Sequence, residues 1–153
     1  MSSRPALPDD EPLLYRIYRS TREAELQAIG WNAAQQDAFL RMQYEIRRRS
    51  YEASYPSADH SILVSGNTAV GGMIVSRSAA EIHLLDIAIL PEHRGRGIGA
   101  AFLGDLIREA VSARLPLRLS VLRGNPALRL YQRCGFVVTA EDAMYLEMEH
   151  DTR

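Results

Sequence analysis

This chain is short of most of the features that declare a protein's class at first sight. A single cysteine in 153 residues excludes an internal disulfide framework and suits a reducing compartment. No apolar run approaches the roughly 20 residues of a membrane span, and Met1 to Pro8 lacks the apolar core of a signal peptide. A cytoplasmic protein with no membrane partner is the expectation. An excess of one charge is also missing: the formal net charge of −1 argues against a nucleic-acid binder held by phosphate contacts. His60, His93 and His150 have no metal-ligand spacing with one another or with Cys134, so no metal is expected. There are no repeats, linkers or low-complexity stretches, and residues 1–153 read as one domain with room for a real core.

What is present concentrates in Arg94-Gly95-Arg96-Gly97-Ile98-Gly99-Ala100, between an apolar run (Ile82 to Leu90) and an amphipathic one (Phe102 to Val111). Glycines at alternate positions let the backbone turn sharply and let a ligand approach it closely. A strand entering such a loop and a helix leaving it would aim N–H groups at one point, an anion site suited to phosphate. Arg94 and Arg96 add two positive charges. A P-loop requires Gly-Lys-Ser/Thr after its glycines, and this loop has no lysine. Gly95-x-Gly97-x-x-Ala100 does satisfy the loose dinucleotide form. That form needs an acidic residue about 20 positions on, and no Asp or Glu occurs between Glu109 and Glu141.

The rest of the chain reads as a mixed α/β sequence. A short first strand is expected around Arg4 to Ala6. A helix follows from Asp9-Asp10 to about Ile29, stopped by Gly30, and a second opens at Asn32 and ends at Tyr55-Pro56. Ser61 to Ser65, a Gly66-Asn67 turn and Val70 to Ser76 read as a hairpin. Ala80 to Leu90 is a strand apolar on both faces, which predicts a central strand covered on both sides. Then come a helix Gly97 to Ala113, a strand Leu117 to Leu122, a short helix Pro126 to Cys134, and a closing hairpin of Phe136 to Thr139 with Met144 to Met148.

The string Ile87-Ala88-Ile89-Leu90-Pro91-Glu92-His93-Arg94-Gly95-Arg96-Gly97-Ile98-Gly99 resembles the coenzyme A loop of the GNAT N-acetyltransferase superfamily. The family signature, Gln/Arg-x-x-Gly-x-Gly/Ala, is met by Arg94, Gly97 and Gly99. Asn125-Pro126-Ala127 and Leu130-Tyr131-x-x-Cys134-Gly135-Phe136 resemble the family's downstream segment, with one helix and one strand between the two motifs. The resemblance covers about residues 60 to 150. It implies a central mixed, mostly antiparallel sheet splayed between two central strands, with helices on both faces. It also implies acetyl-CoA as co-substrate, bound by Ile87, Ala88, Ile89, Arg94 to Ala100, Asn125, Ala127 and Tyr131. The acceptor it implies is an amine, and it leaves a homodimer open; the mixed apolar and charged residues of Glu25 to Tyr44, without a strongly negative overall charge, point to a small molecule or short peptide with an apolar part.

Acetyl transfer to an amine poses three problems. The amine arrives protonated; removing a proton of pKa ~10.4 near pH 7 costs roughly 4–5 kcal/mol. Negative charge develops on the thioester oxygen, and a thiolate must leave. A histidine lies eleven positions before the signature residue in the arylalkylamine branch of the family, and a glutamate there in the histone-acetylating branch. Eleven before Arg94 is His83, whose ordinary pKa near 6.5 suits a base. Glu81 and Asp86 are alternatives, and a structural histidine is the competing reading. Tyr131 matches the family's tyrosine acid, and backbone N–H groups around Ala88 and Ile89 match its oxyanion donors. Trp31 and Tyr44, in the segment Glu25 to Tyr44, are expected to help shape the acceptor site.

Overall fold

The computed structural model describes residues 1–150. Seven strands are hydrogen-bonded in the order β1-β2-β3-β4-β5-β7-β6. In chain order they are β1 (Ser2–Pro5), β2 (Asp59–Ser65), β3 (Thr68–Arg77), β4 (Ile82–Ile89), β5 (Leu117–Leu122), β6 (Phe136–Glu141) and β7 (Tyr145–His150). Four helices join them: α1 (Glu11–Gln27), α2 (Ala33–Ser54), α3 (Ile98–Ala113) and α4 (Ala127–Arg133). Every expected element is present. Ends move by about two residues at most; β1, expected at Arg4 to Ala6, runs from Ser2 and pairs antiparallel with β2 (Ser2 opposite Val64, Pro5 opposite Ser61). Pro5 is tolerated because β1 is an edge strand.

The chain divides into two compact units, Met1–Met73 with Ala88–Arg94, and Ile74–Ile87 with Gly95–Arg153. The first is organised by α1 and α2. Asn32 caps α2 reciprocally: its side chain accepts from the Gln35 N–H at 2.9 Å, and the Gln35 side chain accepts from the Asn32 N–H at 3.0 Å. Tyr15, Tyr18, Leu26 and Leu40 form a buried cluster against which Phe39 and Tyr44 pack. A second cluster joins Ile17 of α1, with Leu13 beside it, to Ala88 and Leu90. Here β3 and the end of β4 come unusually close: a Cβ on Gly71 would lie 2.2 Å from the Ala88 carbonyl oxygen and 3.1 Å from the Ile89 Cα. Only glycine fits that position.

In the second unit β4 and β5 run parallel, Ile82, His83 and Leu84 lying beside Leu117, Arg118 and Leu119. β5 then pairs antiparallel with β7, and β7 with β6, which carries an irregularity between Val138 and Ala140. The alternation of β5 is regular: Leu117, Leu119 and Val121 are buried, and Arg118, Ser120 and Leu122 are exposed. α3 packs on β5 and α4 on β6. The expectation that β4 is covered on both faces needs correction. Ile82, Leu84 and Ala88 are buried, whereas His83, Leu85, Ile87 and Ile89 are only partly so. His83 lies beside the exposed Arg118, so its face of β4 is the less covered one.

Candidate active site

The glycine loop is built from residues whose side chains are missing where the backbone bends. Gly95 and Gly97 have φ of +78° and +76°, in the left-handed region, and nothing lies within 4 Å of where a Cβ would sit on either. Gly97 is the N-cap of α3, so the first N–H groups of that helix open directly behind it. The Ala101 N–H is the first to be taken up within the helix, by the Gly97 carbonyl at 3.0 Å. Ile98 is buried and anchors the first turn, while Arg96, Gly97 and Ala100 are exposed. Arg96 makes no ion pair among the described residues. An exposed bend with bare glycines, leading into a sixteen-residue helix, fits a phosphate ester. The Arg94 Nε donates to the Ile89 carbonyl at 2.8 Å.

Ala88 and Ile89 belong to the stretch that crosses Gly71. With all peptide bonds trans, the Ala88 carbonyl and the Ile89 N–H point in opposite directions. Because that carbonyl leans onto Gly71, the Ile89 N–H is directed away from β3.

Downstream, Asn125 closes an Asx turn: its side-chain oxygen accepts the Ala127 N–H at 2.9 Å and starts α4. The Gly124–Arg133 segment lines an open concavity of about 520 Å³, bordered by Asn125, Pro126, Leu128 and Arg129. Tyr131 is 7% exposed and meets Phe136 edge-on, with ring centroids 5.9 Å apart. Burial raises its phenol pKa above the ordinary tyrosine range, and the negative field of Asp86 raises it further. Tyr131 therefore holds its proton across the physiological range. Ile87, the remaining expected coenzyme contact, is partly buried in β4.

His83 sits in a charged cluster. Its Nδ1 is 3.9 Å from Glu81 Oε1. Glu81 Oε2 is 2.5 Å from Arg118 Nη1, and Arg118 Nε is 3.3 Å from Glu149 Oε2. Sequence reasoning named Glu81 but passed over Arg118 and Glu149. Their signal was weak, single charged residues at outward positions of two alternating strands, and only register brings them together. Asp86, of opposite strand parity to His83, belongs to the face sensed by Tyr131.

The aromatic residues expected to shape an acceptor site divide differently. Tyr44 lies between the rings of Tyr15 and Tyr18, at 5.6 and 5.5 Å, and its pKa is raised chiefly by burial and then by Glu11. It packs on the core cluster and is itself partly buried. Trp31 meets Phe39 edge-on at 5.3 Å, and its carbonyl accepts from Gln36 Nε2 at 2.8 Å, so it closes the turn between α1 and α2. Among the described residues no three His, Cys, Asp or Glu side chains gather as metal ligands would, and no helix is long and apolar enough to cross a membrane.

A mostly antiparallel sheet with one parallel pair, followed by a left-handed glycine bend into a helix, defines the acyl-CoA N-acyltransferase class of α/β proteins. Residues 57–138, more than half of the chain, match the family model described as an acetyltransferase (GNAT) domain. The chain belongs to that family and is an acyltransferase. Its structure is similar to the PaiA N-acetyltransferase of Thermoplasma acidophilum in complex with coenzyme A (TM-score 0.72, 19% identity, 98% of each chain covered). It is also similar to an acetyltransferase of Thermus thermophilus (0.68, 21%, 97% of this chain and 95% of that one). A third likeness is to a GNAT family acetyltransferase of Elizabethkingia anophelis with acetyl-CoA bound (0.63, 14%, 98% and 97%). At these identities the likeness concerns the fold. No curated protein matches the sequence.

Proposed function

We propose that this protein transfers an acetyl group from acetyl-CoA to a primary amine of a small molecule or short peptide, by direct attack in a ternary complex, as a single domain in the cytoplasm. The observation that carries the reading is the loop: Gly95 and Gly97 in left-handed conformations with open space beside them, at the start of α3. Backbone N–H groups of Gly97 to Ala100 would hold the diphosphate, and Arg96 would add charge. Ile87, Ala88, Ile89, Asn125 and Ala127 are assigned to the pantetheine arm by their place in the two motifs. The coenzyme supplies an activated acetyl thioester.

The chain's own residues do the rest. The Ile89 N–H, directed away from β3, is suited to stabilise negative charge on the thioester oxygen. Tyr131, its proton held by burial and by Asp86, donates a hydrogen bond to the departing sulfur; so weak an acid supports a thiolate by bonding to it. His83 accepts the proton of the incoming ammonium through a water.

The test is thiol release from acetyl-CoA against a panel of primary amines, with coenzyme binding measured by calorimetry in parallel. All 18 basic residues are arginine, so the enzyme has no ε-amine to acetylate and the control without acceptor stays low. Turnover on at least one amine is expected. Tight coenzyme binding with no turnover on any of them would replace the transferase reading by a coenzyme A sensor.

A further inference from the structure

We infer that Glu81, clamped by Arg118, is a positioning residue that biases the tautomer of His83 and its affinity for a proton; this rests on the reading of His83 as the base. The parallel register of β4 and β5 places Arg118 directly beside His83. Left alone, that guanidinium would oppose the arrival of a proton on the imidazole and weaken it as a base. Arg118 is not left alone. Its Nη1 lies 2.5 Å from Glu81 Oε2 and its Nε 3.3 Å from Glu149 Oε2, and the two carboxylates hold its pKa above the ordinary arginine range, Glu81 first. The guanidinium is spent on them, and the cluster of three carries one net negative charge beside the ring.

Geometry distributes the two Glu81 oxygens between two tasks. Oε2 is taken by Arg118, which fixes the carboxylate, and Oε1 faces His83 Nδ1 at 3.9 Å. That distance is too long for a hydrogen bond but well within the range of a charge effect. A carboxylate on the Nδ1 side favours the tautomer with its proton there, which makes Nε2 the basic nitrogen. When an ammonium gives up its proton to Nε2, the imidazole becomes an imidazolium whose charge is balanced by Glu81, and the amine nitrogen regains its lone pair. His83 is 20% exposed and Glu81 31%, so screening by water is partial.

Arg77 of β3 is held by Glu109 of α3, Nε to Oε2 at 2.6 Å. Asp86 of β4 acts on Tyr131. Glu81 from just before its own strand, Arg118 from β5 and, through Arg118, Glu149 from β7 thus act on His83 together.

The experiment needs no acceptor. The ring signals of His83 are followed by NMR through a pH titration of the free protein and assigned by their loss in His83→Ala. Glu81→Gln should lower the pKa of His83 by about one unit, because a stabilising negative charge is gone. Arg118→Gln should raise it by a similar amount, since two carboxylates are then unopposed. Glu81→Asp, which keeps the charge, should restore most of the shift. A residue of merely structural importance would not move the pKa in opposite directions with opposite charges. Should Arg118→Gln fail to fold, the Glu81→Gln and Glu81→Asp pair decides alone. A pKa unchanged by Glu81→Gln overturns the inference. The acid limb of kcat/KM, measured with acetyl-CoA and the best primary amine of the panel, separates the two readings. If His83→Ala abolishes that limb while Glu81→Gln leaves both limb and pKa in place, the base stands and the clamp falls. If His83→Ala leaves the limb untouched, the base reading fails and takes the clamp's role in the reaction with it.

Discussion

The corner between α1 and α2 and the bend into α3 are built on opposite principles. In the corner nearly every polar side chain is spent. Tyr15 donates to Asp37 at 2.7 Å, Arg19 and Arg41 hold the same carboxylate at 3.0 and 2.9 Å, and Arg41 also lies over the Tyr15 ring at 4.3 Å. Arg47 faces Tyr18 and Tyr51 in the same way. In the bend, Gly95 and Gly97 have nothing beside them and Arg96 has no partner among the described residues. Groups that have found partners within the chain hold it together, and groups arranged without them are available to something else. Composition hides this distinction, because both regions are rich in arginine.

The comparison can be broken most forcefully at a third place, where close approach rather than polarity rules. Gly71→Ala puts a methyl group 2.2 Å from a backbone carbonyl, which neither strand can avoid. A loss of about 3 kcal/mol is expected, seen as a fall of about 10 °C in melting temperature; a melt like the parent's would mean that β3 and β4 do not meet there.

Gly97→Val tests the bend. It forces a β-branched residue to φ +76°, at a cost of about 1–2 kcal/mol in stability, and it fills the space beside the first N–H groups of α3. Coenzyme affinity should drop at least about tenfold, more than stability alone predicts. Calorimetry on the folded variant reads this directly, and undiminished affinity would remove the loop from the binding site.

Tyr131→Phe removes one oxygen from a residue whose ring contact with Phe136 is kept. The expected result is a kcat lower by about tenfold or more with coenzyme affinity unchanged. Because the folded phenol's pKa is raised, no ionisation of Tyr131 should appear as an alkaline limb below about pH 10. A limb in that range that disappears in Tyr131→Phe would reverse the assignment of its protonation state.

The smallest effect belongs to the spent corner. Asp37→Asn leaves Tyr15, Arg19 and Arg41 with a neutral partner, and its lowered pKa shows that the charged form is the one the site favours. That contribution is present above the ordinary aspartate range and is lost as pH falls through the lowered folded value. In the wild type the melting temperature should therefore decline modestly on acidification, and Asp37→Asn should flatten part of that decline. Coenzyme binding should not change; if it does, the corner is not purely structural.

The sequence by itself determined the elements, the glycine bend and the two motifs of the family. These depend on neighbours along the chain: Asn32 with Gln35 makes a cap, Leu117-Arg-Leu-Ser-Val-Leu122 alternates, and glycines at 95 and 97 permit a left-handed bend. His83 was reachable too, by counting back from Arg94. What only the tertiary structure decided lies between residues far apart. Tyr44 packs on the core because α1 brings Tyr15 and Tyr18 beside it. One face of β4 is only half covered because His83 falls beside an outward-facing Arg118. Glu81, Arg118 and Glu149 meet through two strand registers that no local pattern encodes, and Gly71 is irreplaceable because of a carbonyl seventeen residues away. Local sequence fixes backbone preference and periodicity, whereas a side chain's partners follow from register and packing, which the whole chain sets together.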